Sequence, residues 1–127
     1  MKPEGLTGVA RLWAALRNSQ VGLRDAWQRE QAFRQETLLL IAGIPLAFWI
    51  ADSIAQTGLL IGSILFLMIV EILNSAIEAV VDRIGLEHHE LSRIAKDLGS
   101  AAVLLAALFP LAVWGTLVLN KFGVISL

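Results

Sequence analysis

Residues 53–84 read SIAQTGLLIGSILFLMIVEILNSAIEAVVDRI. The first eighteen of them, 53–70, contain no Asp, Glu, Lys or Arg, and they run straight into a stretch that places Glu71, Asn74, Ser75, Glu78 and Asp82 at helical spacing. A helix rises about 1.5 Å per residue and a bilayer core is about 30 Å thick, so a span needs roughly 20 residues. A helix entering the membrane after Asp52 has therefore crossed it by about Asn74. Glu71 falls at the headgroup level on the far side, and Glu78, about 10 Å further along the axis, falls in water.

Two more uncharged stretches flank this one: residues 37–51, fifteen long, and residues 98–120, twenty-three long. The longer suffices for a span by itself. The shorter suffices if Gln35 and Glu36 mark one interface while Trp49 and Asp52 mark the other. The expected fold class is an all-α membrane protein of one domain, 1–127. It has an amphipathic surface region over 1–34 and helices over about 35–52, 54–84 and 97–120, three of which cross the membrane. Composition agrees: of 127 residues, 57% are hydrophobic and 17% charged, with a mean hydropathy of +0.71. Such a chain is neither disordered nor an ordinary soluble domain.

Charge placement sets the expected orientation. Lys2, Arg11, Arg17, Arg24, Arg29 and Arg34 precede the first span, and Arg83, Arg93 and Lys96 lie between the second and third. Only Asp52 separates the first two spans, and Lys121 is the one charge beyond the third. The positive-inside rule then puts the N-terminus and second loop in the cytoplasm, with Asp52 and the C-terminus outside. No apolar run near the start is long enough for a signal-peptide core, so the N-terminus is expected to be retained. Val9, Leu12, Trp13 and Leu16 form an apolar stripe that reads as a helix lying on the membrane surface. Gly22 is expected to interrupt that helix before a second amphipathic stretch carrying Leu23, Trp27 and Phe33. Gly58 and Gly62 form a small-xxx-small pair that permits close helix approach.

Function classes fall away by chemistry. A net charge of −1 gives no field for nucleic acid, and zero cysteines exclude disulfides, thiol catalysis and Cys-containing zinc sites. The sequence lacks a P-loop, the kinase glycine loop with its H-R-D and D-F-G partners, G-x-S-x-G and H-E-x-x-H. What stands out is the acidic stripe. At about 100° per residue, Glu71, Asn74, Ser75, Glu78 and Asp82 share an arc of about 100°. Three carboxylates on one stripe, one of them bordering hydrocarbon, are costly unless a cation compensates them. Carboxylate oxygens suit Mg²⁺, which takes few protein ligands and completes its octahedron with water and phosphate. The loop GLEHHELSRIAKDLGS (85–100) adds His88, His89, Lys96 and Asp97. Lys96 suits either a membrane anchor or a phosphate partner. A chain this small does not enclose a site alone, so a site between subunits is expected.

Three blocks have a recognisable wording: AFRQE (32–36), EILNSAIEAVVDRI (71–84) and HELSRIAKDLGSAAV (89–103). Together they closely resemble the bacterial integral-membrane diacylglycerol kinase family, over nearly the whole chain and in the right order. The resemblance implies a homotrimer in the bacterial inner membrane, with composite sites between subunits, making phosphatidic acid from diacylglycerol and MgATP. It further implies that Glu71 is the general base for the lipid hydroxyl, that Glu30 and Glu78 hold Mg²⁺, and that Asn74 and Asp82 support them. Arg11, Asn18, Glu30, Glu78, Glu87, His88, His89, Lys96 and Asp97 would meet ATP. Asn18 and His88 stand where family members can carry tyrosine. Arg11, Gln35, Glu36, Trp49, Glu71, Ser100 and Trp114 would lie near the lipid. The competing readings are an undecaprenol kinase of the same fold and, from another class, a small proton-coupled transporter. A transporter would place its acid near the bilayer midplane, whereas these acids gather at one end.

Overall fold

The computed structural model describes Gly5 and residues 7–127; Lys2 lies outside them. Among the described residues four helices follow one another: α1 (Gly8–Arg29), α2 (Gln31–Ile50), α3 (Ile54–Ile84) and α4 (Glu90–Lys121). The last three are long and apolar enough to cross a membrane.

Local signals explain where each helix begins and ends, and two of them move boundaries expected from charge alone. Gly22 does not break α1. One glycine costs a helix only about 1 kcal/mol relative to alanine, and Gln20, Leu23 and Arg24 around it are good helix formers. The break comes at Glu30, whose backbone is extended (φ −109°, ψ 109°). The Arg34 Nη1 atom donates to the carbonyl oxygens of Trp27, at 2.8 Å, and Gln28, at 3.3 Å, which satisfies the end of α1 from the first turn of α2. Phe33 therefore belongs to α2, where it is buried. Helix α4 starts at Glu90 rather than near residue 97, because His89 Nδ1 accepts from the Leu91 N–H at 3.1 Å and so caps it. At the start of α3, Ser53 Oγ accepts from Gln56 N–H at 3.2 Å. Gln56 Oε1 in turn accepts from the N–H of Asp52, the residue before the N-cap, at 2.8 Å, so the two side chains hold the helix start from both sides.

Helix α3 is the centre of the bundle, with α2 and α4 packed against it. Ala47, Ile50, Leu60 and Leu117 make one buried cluster; Phe33, Ile64 and Met68 make a second, against which Ala26 of α1 rests. The polar atoms within this apolar interior are paired. Trp114 Nε1 donates to the Leu60 carbonyl at 3.1 Å and Ser63 Oγ donates to the same oxygen at 2.7 Å, as a lipid solvent demands. Close approach occurs at Gly43, where a Cβ would meet Ile64 Cδ1 at 3.1 Å. Gly58 and Gly62 have no such neighbour: among the described residues nothing lies within 4 Å of a Cβ at either. The outward face of α4, with Leu104, Leu105, Leu108 and Leu111, is exposed, an apolar surface that suits lipid or another helix rather than water.

Candidate active site

The acidic stripe of α3 lies where two neighbours meet. On one side, α1 lies across Ile72, Ser75, Ala76 and Ala79, leaving a cleft of about 460 Å³ into which Glu30, Glu78 and Asp82 open. On the other side, α4 closes over Asn74 through the buried Gly99. Glu71, one turn before Ser75 on the same helix, is only 8% exposed. It is near enough to Glu30 and Glu78 to feel both charges, and Glu36 of α2 feels that of Glu71. Four carboxylates, two from α3, one from α2 and Glu30 from the α1–α2 junction, thus converge on one region.

The partners of these acids are few. Asn74 Nδ2 donates to Glu78 Oε1 at 3.3 Å. Its other amide atom, Oδ1, is buried without a hydrogen-bond partner, as is Glu36 Oε2. Such orphans are uncommon in folded interiors and concentrate where a ligand or ion completes the set. Asp82 is the exception: Lys96 Nζ stands 2.6 Å from its Oδ1 and ties α3 to α4. The same contact holds the Lys96 ammonium above its ordinary pKa.

Asp82 and Lys96 also border a second hollow, of about 210 Å³, with Glu87, His88, His89 and Arg93. Asp82 is the one residue that lines both hollows, with the loop that joins α3 to α4 on one side of it and the cleft that holds Glu30 and Glu78 on the other. Asp97 is held at 2.6 Å by Arg93, which also pairs with Glu90.

Other candidates stand apart. Asn18 and Arg11 are exposed on α1, about 18 Å and 28 Å along the helix from Glu30. Gln35 and Ser100 are exposed near the acidic end. Trp114 is half-buried, hydrogen-bonded to Leu60, a residue about 16 Å along α3 from Glu71. Trp49 is at the other end of α2. There its ring meets Phe122 edge-on at 6.0 Å, with Lys121 Nζ 5.6 Å from its centroid.

Three residues that place this site escaped the sequence reading. Asp25 and Arg29 line the α1 cleft with Gly22 and Ala26, and the i, i+3, i+4, i+7 spacing of the four is the signal that marks them as one face. Gly99 has no local signal, because its role depends on a side chain from another helix. Among the described residues, no three His, Asp or Glu side chains gather closely enough to hold a metal by themselves. Two carboxylates opening to one cleft do fit Mg²⁺, which commonly takes one or two carboxylates and completes its shell from substrate phosphates and water.

Comparison with known proteins bears on the same residues. A family model described as prokaryotic diacylglycerol kinase matches residues 17–118, a range that contains Glu30, Glu71, Glu78 and Lys96. The diacylglycerol kinase of Escherichia coli is 52% identical over 117 residues, covering 92% of this chain and 96% of that protein. The diacylglycerol kinase of Haemophilus influenzae is 46% identical over 109 residues (86% and 92%). That of Pseudomonas aeruginosa is 45% identical over 117 residues (92% and 95%).

Proposed function

Since the chain belongs to the prokaryotic diacylglycerol kinase family, we propose that it transfers the γ-phosphoryl group of ATP to the primary hydroxyl of diacylglycerol, giving phosphatidic acid. One observation carries the assignment to residues: a buried carboxylate, Glu71, stands on the same helix face as Glu78, which opens with Glu30 into a cleft. The two are about 10 Å apart along the axis. That separation suits a lipid hydroxyl at headgroup depth and a polyphosphate in water.

Phosphoryl transfer asks a protein for alignment, charge neutralisation and a base near the attacking oxygen. Glu71 accepts the hydroxyl proton as the lipid oxygen bonds to the γ-phosphorus and the bond to the β-phosphate oxygen breaks, releasing ADP. Glu30 and Glu78 are the residues to hold Mg²⁺, which when bound offsets the negative charge of the phosphates. Asn74 orients Glu78. Lys96, already positioned by Asp82, supplies a fixed positive charge beside the phosphates, and Glu87, His88, His89 and Asp97 border the nucleotide. Glu36, with Gln35 and Ser100, lies on the lipid side; Trp49 and Trp114, further along the spans, suit contact with acyl chains.

The reading includes a homotrimer. Arg11 and Asn18 are exposed on α1, about 28 Å and 18 Å along the helix from Glu30, so a site that uses them takes them from a neighbour, and the exposed apolar face of α4 suits subunit packing. Helix α1 rests on the inner-membrane surface through Val9, Leu12, Trp13 and Leu16, with the N-terminus cytoplasmic and the C-terminus periplasmic.

The test is transfer of label from γ-labelled ATP to diacylglycerol and, separately, to undecaprenol, with purified protein in mixed micelles containing Mg²⁺. Label in phosphatidic acid is the expected result. Label only in undecaprenyl phosphate would keep the mechanism and replace the substrate. Transfer to neither by a folded oligomer would overturn the kinase reading and direct attention to proton flux in vesicles.

A further inference from the structure

We propose that Gly99 is a positioning residue for Glu78, acting through the side-chain amide of Asn74; the proposal rests on the reading of Glu78 as a magnesium ligand. Gly99 is buried on α4. A Cβ there would stand 2.1 Å from Asn74 Oδ1 and 3.2 Å from its Cγ, but 3.9 Å from the Asn74 Cα. The helices themselves therefore have room for a methyl group. Only the amide lacks it.

That amide is fixed from two directions. Its nitrogen donates to Glu78 Oε1 at 3.3 Å, one helix turn along the same face. Its oxygen lies against Gly99, buried and unpartnered. Exchanging the two atoms would set an acceptor against a carboxylate oxygen and lose the only hydrogen bond the side chain makes to Glu78, so the orientation follows from chemistry. The space left by the missing Cβ on α4 is thus occupied by the group that aims a carboxylate on α3. An alanine at position 99 swings the amide away and frees Glu78 to rotate, without separating the helices. An outer-shell contact of this kind typically changes metal affinity about 10–100-fold.

The experiment compares the wild-type protein with Gly99→Ala, Asn74→Ala, the double variant and Glu78→Gln. It measures Mn²⁺ binding by electron paramagnetic resonance in the presence of a non-hydrolysable ATP analogue, beside melting temperature and the Mg²⁺ dependence of initial rates. Gly99→Ala should weaken Mn²⁺ binding about tenfold at an unchanged melting temperature, and the double variant should bind no worse than Asn74→Ala. Should Gly99→Ala fail to fold while the double variant folds and binds like Asn74→Ala, the clash with the amide is confirmed by relief. Losses that multiply in the double variant, or a double variant that also fails to fold, would overturn the proposal, because the methyl group would then act on something other than Asn74. Wild-type binding by Gly99→Ala would overturn it equally. If instead Glu78→Gln binds Mn²⁺ as wild type does, the metal-ligand reading of Glu78 falls, and the proposal with it; weakened binding by Glu78→Gln but not by Gly99→Ala removes the positioning role alone.

Discussion

The two ends of the helical bundle treat polar groups in opposite ways. At the end formed by the α2–α3 turn and the C-terminus, Asp52 Oδ2 accepts from Asn120 Nδ2 at 3.1 Å, Asn120 Oδ1 accepts from the Leu127 N–H at 3.1 Å, and Lys121 lies over Trp49. Gly123, at a φ of +72° where side chains are disfavoured, turns the last residues back so that the Val124 N–H reaches the Leu119 carbonyl at 2.9 Å. The polar side chains named there serve one another. At the other end, Glu30, Glu36, Glu71 and Glu78 converge, Glu78 accepts one long hydrogen bond from Asn74, and among the described residues the buried Glu36 Oε2 and Asn74 Oδ1 have no partner. The first arrangement stabilises the fold. The second costs stability, and in the function proposed for it a ligand would offset that cost.

Substitutions that exchange those roles would break the comparison, and the largest effect is expected at Glu71. Glu71→Gln should lower the turnover number by about 10²–10⁴, while the melting temperature rises, because one of several repelling carboxylates has been neutralised. Steady-state rates and calorimetry on the same sample decide this; a lower melting temperature would place Glu71 among the stabilising groups. Glu78→Gln should reduce transfer by about 10²–10³ and raise the Mg²⁺ concentration needed for half-maximal rate, which a metal titration reads directly.

A smaller effect is expected at Arg34, which acts on the site by holding the junction that presents Glu30. Arg34→Ala should cost about tenfold in rate, since displacements near 1 Å are expensive in catalysis, and should loosen α1, seen as faster amide exchange at its C-terminal turn. Smallest of all, Asp52→Ala or Asn120→Ala should lower the melting temperature by roughly 2–4 °C and leave the rate unchanged. A rate loss from either would mean that the two ends are coupled.

These contrasts also separate what was legible in the sequence from what was not. The spans were legible because a bilayer imposes length and apolarity, and the stripe because Glu71, Asn74, Glu78 and Asp82 repeat at the period of a helix. Boundaries set by single contacts were not. Charge gaps locate where a helix enters hydrocarbon, but α4 begins where His89 can cap it, and α1 ends where Arg34 can satisfy its carbonyls. The chemistry of Lys96 was legible as a choice between anchor and phosphate partner; its contact with Asp82, fourteen residues away in sequence, required the fold. Gly99 illustrates the limit most plainly, because a missing side chain announces nothing until the amide that fills its place is seen.

The central claim is that the partner-poor end performs lipid phosphorylation while the self-paired end holds the bundle together. The most direct test is the initial rate of label transfer from γ-labelled ATP to diacylglycerol by the wild-type protein, Glu71→Gln and Asn120→Ala, measured in one mixed-micelle preparation. Phosphatidic acid is expected from the wild type and Asn120→Ala at equal rates, with a loss of at least about a hundredfold for Glu71→Gln. Equal rates for Glu71→Gln and the wild type would contradict the central claim.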